Sequence, residues 1–396
     1  MKNESFVKTI ESQSESLFSW VREIREHIHQ NPELSFKEYN TSAFILKKLQ
    51  EIGLEEIHSI AKTGIVALIS NPNIKTSECI ALRADIDALP ILEQNSISYK
   101  SRVDGIMHAC GHDVHTAILL GAARIIFQNR EKLKYSVKLI FQPGEEVHPG
   151  GASILIKEGV LKNPSVKKIY GLHVYPELDS GLIGMKPDMY MASSDELYVE
   201  IEGKGGHGAL PERCINPIEI GAEIVLNSRA FIDQLNVKNI PTVLSFGYFQ
   251  AEGSTNVIPP TSSIKGTFRT FNEEWREEAL RELADFIEKI GKRYKAKATL
   301  KRSKGYPCLV NDIEVTNELK DELQSLLGDS SVVDLNIRMT AEDFAFYAQE
   351  VPACFFRLGV RNEEKGITHS VHHPLFNIDD QSLKTGVKIM SLIPFL

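Results

Sequence analysis

Side chains able to hold a transition metal stand in clusters far apart along this chain. Only a fold that gathers distant segments can use them together. Met107-His108-Ala109-Cys110-Gly111-His112-Asp113-Val114-His115 puts three histidines, one cysteine and one aspartate into nine positions. Gln142-Pro143-Gly144-Glu145-Glu146 follows, then His173, then His369, His372 and His373 near the end. Thiolate and imidazole are the usual ligands of zinc and neighbouring metals. A small structural zinc knot keeps its ligands local. Dispersion on this scale points instead to a catalytic metal centre assembled by a large domain.

Bulk properties narrow the classes. The chain has 396 residues, 42% hydrophobic and 25% charged, an ordinary globular composition with room for roughly two or three domains. A net charge of −8 and a pI near 5.9 argue against nucleic acid or an anionic membrane as a partner. Five dispersed cysteines, Cys79, Cys110, Cys214, Cys308 and Cys354, form no paired framework and fit a reduced compartment. The N-terminus lacks the apolar run of a signal peptide. No stretch is long and apolar enough to span a bilayer. These readings predict a soluble cytoplasmic protein, the alternative being the mature form of a secreted one.

Periodicity places the clusters on elements. Residues 14–30 carry Leu17, Val21, Ile24 and Ile28 at helical spacing and end at Asn31-Pro32. A second helix is expected over 38–51, before Gly53. Ile65–Ile69 and Cys79–Leu82 read as short buried strands. Asp113–Gln128 reads as a helix, Tyr135–Phe141 as a strand stopped by Pro143-Gly144, and Val166–Val174 as a strand with His173 near its end. Strands alternating with helices indicate an α/β layer fold. From Glu196 the pattern changes, with Leu197, Val199 and Ile201 alternating with charges and Tyr198. A helix (216–234), two strands (242–250 and 262–271), an amphipathic helix and a strand (296–301) follow. The order β-α-β-β-α-β is the split ferredoxin-like arrangement. We therefore expect a catalytic αβα domain with a central mixed sheet, made of 1–187 and 305–396, and an inserted α+β domain over 188–304.

Each cluster has a bland reading. Cys110 and His112 can converge on one ion from a loop, or be a buried cysteine and a helix cap. In Glu145-Glu146, past the end of a strand, one carboxylate can bind metal while its neighbour faces a water; an exposed acidic turn is the alternative. His173 alone would be a core histidine, and the three C-terminal histidines a surface cluster. The bland readings must all hold at once to remove the metal centre. Gly203-Lys204-Gly205-Gly206-His207-Gly208 fits G-x-G-x-x-G, but Pro211 and Pro217 leave no helix opening at the third glycine, so a dinucleotide site is excluded.

The motifs together resemble the amidohydrolase branch of the dimetal aminoacylase/carboxypeptidase superfamily. The resemblance rests on Arg25–His29 with Asn31-Pro32-Glu33, Leu82–Pro90, Met107–His115, Gln142–Glu146 and Gly171-Leu172-His173. It continues through Gly205–Gly208, Asn256–Pro259, Ala341–Phe344 and His372-His373-Pro374. It implies Cys110, His112, Glu146, His173 and His372 as ligands of two divalent ions, manganese or zinc, with cobalt or nickel also admissible. His372 is preferred to His373 because the family's ligand stands two before the proline. The resemblance implies Glu145 as catalytic acid/base and Asp87 as the orienter of a ligand; the bridge between the ions is open, with Cys110 the candidate here where relatives outside this branch use an aspartate. His207 is implied as an oxyanion donor that reaches a partner subunit, with the inserted lid domains pairing in a homodimer. Asn256 and Arg269 are expected to meet the substrate carboxylate. The implied reaction is amide hydrolysis of N-acyl-L-amino acids. A dipeptidase or carboxypeptidase, or a metal-binding protein without catalysis, are the alternatives.

Overall fold

A computed structural model describes residues 4–396. It divides into two compact units. One comprises Met1–Asp188, Val310–Asn336 and Asp343–Leu396; the other comprises Met189–Leu309 with Ile337–Glu342.

The first unit is built on an eight-stranded mixed sheet. Its spatial order is Ile57–Ile60, Gly64–Ile69, Ser136–Gln142, Glu78–Asp85, Ser165–Asp179, Ala353–Arg361, Ile183–Met185 and Val332–Asp334. The four central strands, Ser136–Gln142 through Ala353–Arg361, run parallel, and their neighbours on either side run antiparallel to them. Every residue of Ser136–Gln142 is buried, as expected of a strand covered on both faces. His112–Gln128 packs against the helices Phe18–Gln30, Tyr39–Ile52 and Gln381–Leu392. Ile313–Leu327, Gly151–Lys157 and Ala345–Glu350 contact other strands of the sheet. The mixed α/β layer arrangement expected from the sequence is therefore present.

Three elements differ from expectation. Helix already runs at Glu4, the first described residue, and breaks at Leu17, giving Glu4–Ser16 and Phe18–Gln30; Ile10 is fully buried in the first of these. The edge strand Ile57–Ile60, half exposed, had no apolar run to announce it. His173 lies inside a strand that continues to Asp179 rather than near its end. Its level explains its usefulness all the same. Arg83 pairs with Gly171 and Asp85 with Gln142, so the two neighbouring strands stop at the height of His173. That height is the carboxyl edge of the parallel strands, where sites form in open α/β sheets.

The second unit carries the order β-α-β-β-α-β. Its antiparallel sheet runs Thr242–Gln250, Thr261–Thr270, Asp195–Glu202, Lys297–Lys304. Helices Pro217–Leu235 and Glu273–Arg293 start at Asn216 and Asn272, whose side chains accept from Ile218 N and Trp275 N, a normal N-cap device. Leu197, Val199 and Ile201 form a core with Ile220, Ile224, Leu283 and Ile287. Among the described residues no helix is long and apolar enough to cross a membrane.

Candidate metal centre

Cys110, His112, Glu145, Glu146, His173 and His372 come together in the first unit. Ligand atoms of Cys110, His112 and His173 lie within 4.8 Å of one another, as do those of Cys110, Glu146 and His372, and of His112, Glu145 and Glu146. Cys110 belongs to the first two of these groups. Its Sγ is 3.4 Å from His173 Nε2 and 3.3 Å from His372 Nε2. His372 Nε2 is 3.2 Å from Glu146 Oε1.

The local chain explains the convergence. Gly111 has φ +83°, and a Cβ there would meet Val174 Cγ2 at 2.6 Å. Only glycine lets the Cys110 loop lie this close to the His173 strand before the helix starts at His112. His372 takes φ +65°, an uncommon conformation for a side-chain-bearing residue. Its N–H donates to Ala109 O at 2.8 Å, which fastens the C-terminal loop to the Cys110 loop. His373 turns elsewhere: its Nδ1 accepts from Leu375 N and its ring stacks on His369.

Hydrogen bonds settle which ring nitrogens face inward. His112 Nδ1 lies 3.1 Å from Asp87 Oδ1, so it donates there and Nε2 is the nitrogen that faces the other donors. That Nε2 is buried with no hydrogen-bond partner, and Glu146 Oε1 lies between it and the His372 ring. His173 Nδ1 donates to Val174 O at 2.8 Å, which leaves its Nε2 lone pair toward Cys110. His115 is different. Its Nε2 accepts from Val174 N at 2.9 Å and its Nδ1 meets Asp85, so it is a structural bridge rather than an available ligand.

The electrostatics fit a cation. Burial opposes charge on His112, yet Asp85, Asp87 and Glu146 carry the imidazole up to about 10. Burial, then the carboxylates of Glu146 and Glu145, push the Cys110 thiol well up. Burial, then Arg357, hold His173 neutral. A thiol that resists ionisation beside carboxylates, and an imidazole that those carboxylates hold in its cationic form with Nε2 unpartnered, make a site of surplus negative charge and inward donors that divalent ions would complete. The residues present therefore fit a metal pair.

A buried network supports the cage. Arg83 is 1% exposed. It donates to Gln142 Oε1 at 2.9 Å, Asp85 Oδ2 at 2.6 Å and Asp343 Oδ1 at 2.8 Å. Asp343 also accepts from Gln142 Nε2 and Ala152 N, and its own N–H faces Glu145 Oε1 at 3.4 Å. Sequence reasoning gave no role to Arg83, Asp85 or Asp343. The available signal was charge at alternate positions, Arg83, Asp85 and Asp87, in an otherwise apolar strand end; buried charges must be paired.

His207, Asn256 and Arg269 belong to the second unit. His207 and Val257 are paired, with Asn256 beside them, and both His207 and Asn256 are exposed. His207 Nδ1 accepts from Ala209 N, leaving Nε2–H to donate. Asn256 Oδ1 accepts from Ser254 Oγ, leaving its NH₂. Arg269 stands apart on Thr261–Thr270, half-buried, with Nη1 donating to Met339 O at 2.9 Å.

The chain is similar to known proteins of one family. A family profile described as peptidase family M20/M25/M40 matches residues 81–394. N-acetyl-L-cysteine deacetylase of Bacillus subtilis (strain 168) is 39% identical over 361 residues, 91% of this chain and 84% of that protein. Thermostable carboxypeptidase 2 of Saccharolobus solfataricus is 35% identical over 391 residues, 98% of each. A Bacillus subtilis crystal structure, described as a dinuclear metal binding peptidase from the M20 family, matches with a TM-score of 0.82 at 34% identity, covering 96% of this chain and 98% of that one.

Proposed function

This chain belongs to peptidase family M20/M25/M40, and from that premise we propose that it cleaves the amide bond of N-acyl-L-amino acids, releasing a carboxylic acid and a free amino acid. Metal-dependent hydrolysis of an amide is the reaction; the N-acyl amino acid is our reading of the substrate. The observation that carries the hydrolysis is Glu145, a carboxylate placed among the metal-compatible donors His112 and Glu146; the likeness to N-acetyl-L-cysteine deacetylase supports the N-acyl substrate.

Cys110, His112, Glu146, His173 and His372 would hold the ions. Two divalent ions held there would polarise an amide carbonyl and make water nucleophilic near neutral pH. Glu145 takes a proton from the attacking water and returns it to the nitrogen as the C–N bond breaks. The Asp343 N–H steadies Glu145 Oε1. Asp87 keeps His112 in the metal-binding tautomer. The NH₂ of Asn256 and the guanidinium of Arg269 would meet the substrate's carboxylate.

We place the protein in the cytoplasm as a homodimer. All five cysteines are free, which supports a reducing compartment. Thr242–Gln250 is a sheet edge with Tyr248 and Phe249 exposed, and Leu210 and Val257 are exposed as well. An exposed apolar edge invites strand pairing with a second copy. In that dimer His207 would offer its Nε2–H to the oxyanion in the partner's site.

Chelator-stripped protein loaded in turn with manganese, zinc, cobalt or nickel, assayed on N-acyl amino acids and on free dipeptides, tests the substrate class. Turnover of dipeptides alone would move the assignment to a peptidase, the reading favoured by the carboxypeptidase relative. Inertness toward every amide would leave a metal-binding protein. Light scattering reports the dimer. Mixing E145Q with H207A subunits restores activity if His207 serves the partner's site, and restores none if it serves its own.

A further inference from the structure

Glu38 is fully buried and plays no part in the chemistry described above. It stands immediately before the helix Tyr39–Ile52, and its carboxylate makes no cap bond to that helix. Its Oε1 accepts from Phe36 N and from Gly144 N, both at 2.9 Å, and its Oε2 accepts from Thr63 Oγ1 at 2.7 Å. Gly144 directly precedes Glu145.

On the other side of Glu145, Glu146 N donates to Asp87 Oδ2 at 3.0 Å, and that same oxygen accepts from Ser35 Oγ at 2.7 Å. Two buried carboxylates thus grip the backbone N–H groups on both sides of Glu145. Gly144 itself has φ +62°, and a Cβ there would lie 2.4 Å from the Phe36 ring. Its carbonyl accepts from Gly151 N at 2.9 Å. The segment Ser35–Glu38 is therefore pressed against the turn from outside, by ring contact at Phe36 and by hydrogen bonds at Ser35 and Glu38.

We propose that Glu38 is a positioning residue for the reaction: it fixes the Gly144–Glu146 turn so that the Glu145 carboxylate holds its angle to the reacting atoms. A turn after a strand has few intrinsic constraints. Without an acceptor at Gly144 N, the Pro143–Gly144 peptide can rotate, and the turn that carries the Glu145 carboxylate swings with it. Burying the clamp is what makes it stiff, since an exposed acceptor would exchange with water.

The inference rests on Glu145 being the acid/base, and the two ideas fail separately. If E145Q keeps the parent's turnover, that assignment falls whatever Glu38 does. For Glu38 the variants are E38Q, E38D and E38A, each metal-loaded and assayed on the N-acyl amino acid that the parent turns over fastest. Gln keeps an acceptor for Phe36 N and Gly144 N, and its NH₂ can donate to Thr63 Oγ1. E38Q should therefore hold kcat within about threefold of the parent. Asp is one methylene too short to reach Gly144 N. E38D, with parent metal content and a folded melting profile, should lose kcat by about 100-fold with KM little changed. E38A should follow E38D; if it does not fold, E38D and E38Q decide. E38D turning over at the parent's rate, or E38Q falling as far as E38D, overturns the proposal. A lower melting temperature in E38D with kcat intact would mark Glu38 as merely structural and overturn it equally.

Discussion

Replacing Asp87 by Asn tests whether the cage is set by the tautomer of His112. Asp87 is 1% exposed and accepts from three donors: His112 Nδ1 at 3.1 Å, Ser35 Oγ at 2.7 Å and Glu146 N at 3.0 Å. A carboxylate has two oxygens for them, whereas an amide has one. If the amide oxygen stays with Ser35 and Glu146, its NH₂ meets His112 Nδ1. The imidazole must then move its proton to Nε2, the atom meant for the metal. If the amide flips, Glu146 N and Ser35 lose their acceptor and the ligand turn loosens. Either way at least one charge-assisted bond is lost, worth about 1.5–3 kcal/mol. At about 1.36 kcal/mol per tenfold, that is roughly 10- to 100-fold in metal affinity, the usual effect of losing a partner behind a metal-binding histidine. Calorimetric titration of manganese or zinc into chelator-stripped D87N and parent measures it directly. Melting curves of the stripped proteins show that both are folded. D87N binding metal as tightly as the parent would refute the reasoning, because His112 would then not depend on Asp87 for its proton.

C110A should lower the metal content per chain measured by elemental analysis, since Cys110 stands in two donor groups at once; unchanged stoichiometry would remove it from the centre. R83M removes the guanidinium that Asp85 and Asp343 share and should cost about 3–5 kcal/mol of stability, read by denaturant unfolding. The effect of pH on Glu38 has a definite sign. Burial, then Asp87, lift its carboxyl from 4.5 to about 7. A raised carboxyl favours the folded state most below its unfolded pKa, and this contribution is lost as pH rises through about 7. The shift corresponds to about 3 kcal/mol. E38Q escapes the loss, so in metal-free protein its melting temperature should gain on the parent's between about pH 5 and pH 8. A difference that does not vary with pH would contradict this.

Much of the frame was legible along the chain. Apolar periodicity marked the helices Tyr39–Ile52 and His112–Gln128, and alternation marked Asp195–Glu202. These signals are local: a helix or strand needs only its own residues to show which face is apolar. Cys110, His112 and Glu145-Glu146 were visible because their residue types are unusual at such density. Other features were not. Glu38, Arg83 and Asp343 look like ordinary charged residues until their burial and partners are known. Where His373 points depended on Leu375 and His369, and whether His115 was a ligand depended on Val174 N.

The order of residues by itself determined the two alternating patterns, the supply of metal-binding side chains and the glycines at 111 and 144 that allow close approach. Only the tertiary structure decided which donors share one cavity and which nitrogen of each imidazole faces it. It also decided which carboxylates bind, orient or clamp. The physical reason is range. Backbone preference acts over a few residues, whereas burial, hydrogen bonding and charge act between groups that meet only after folding. Asp343 and Arg83, 260 positions apart and 2.8 Å from each other, are one such pair.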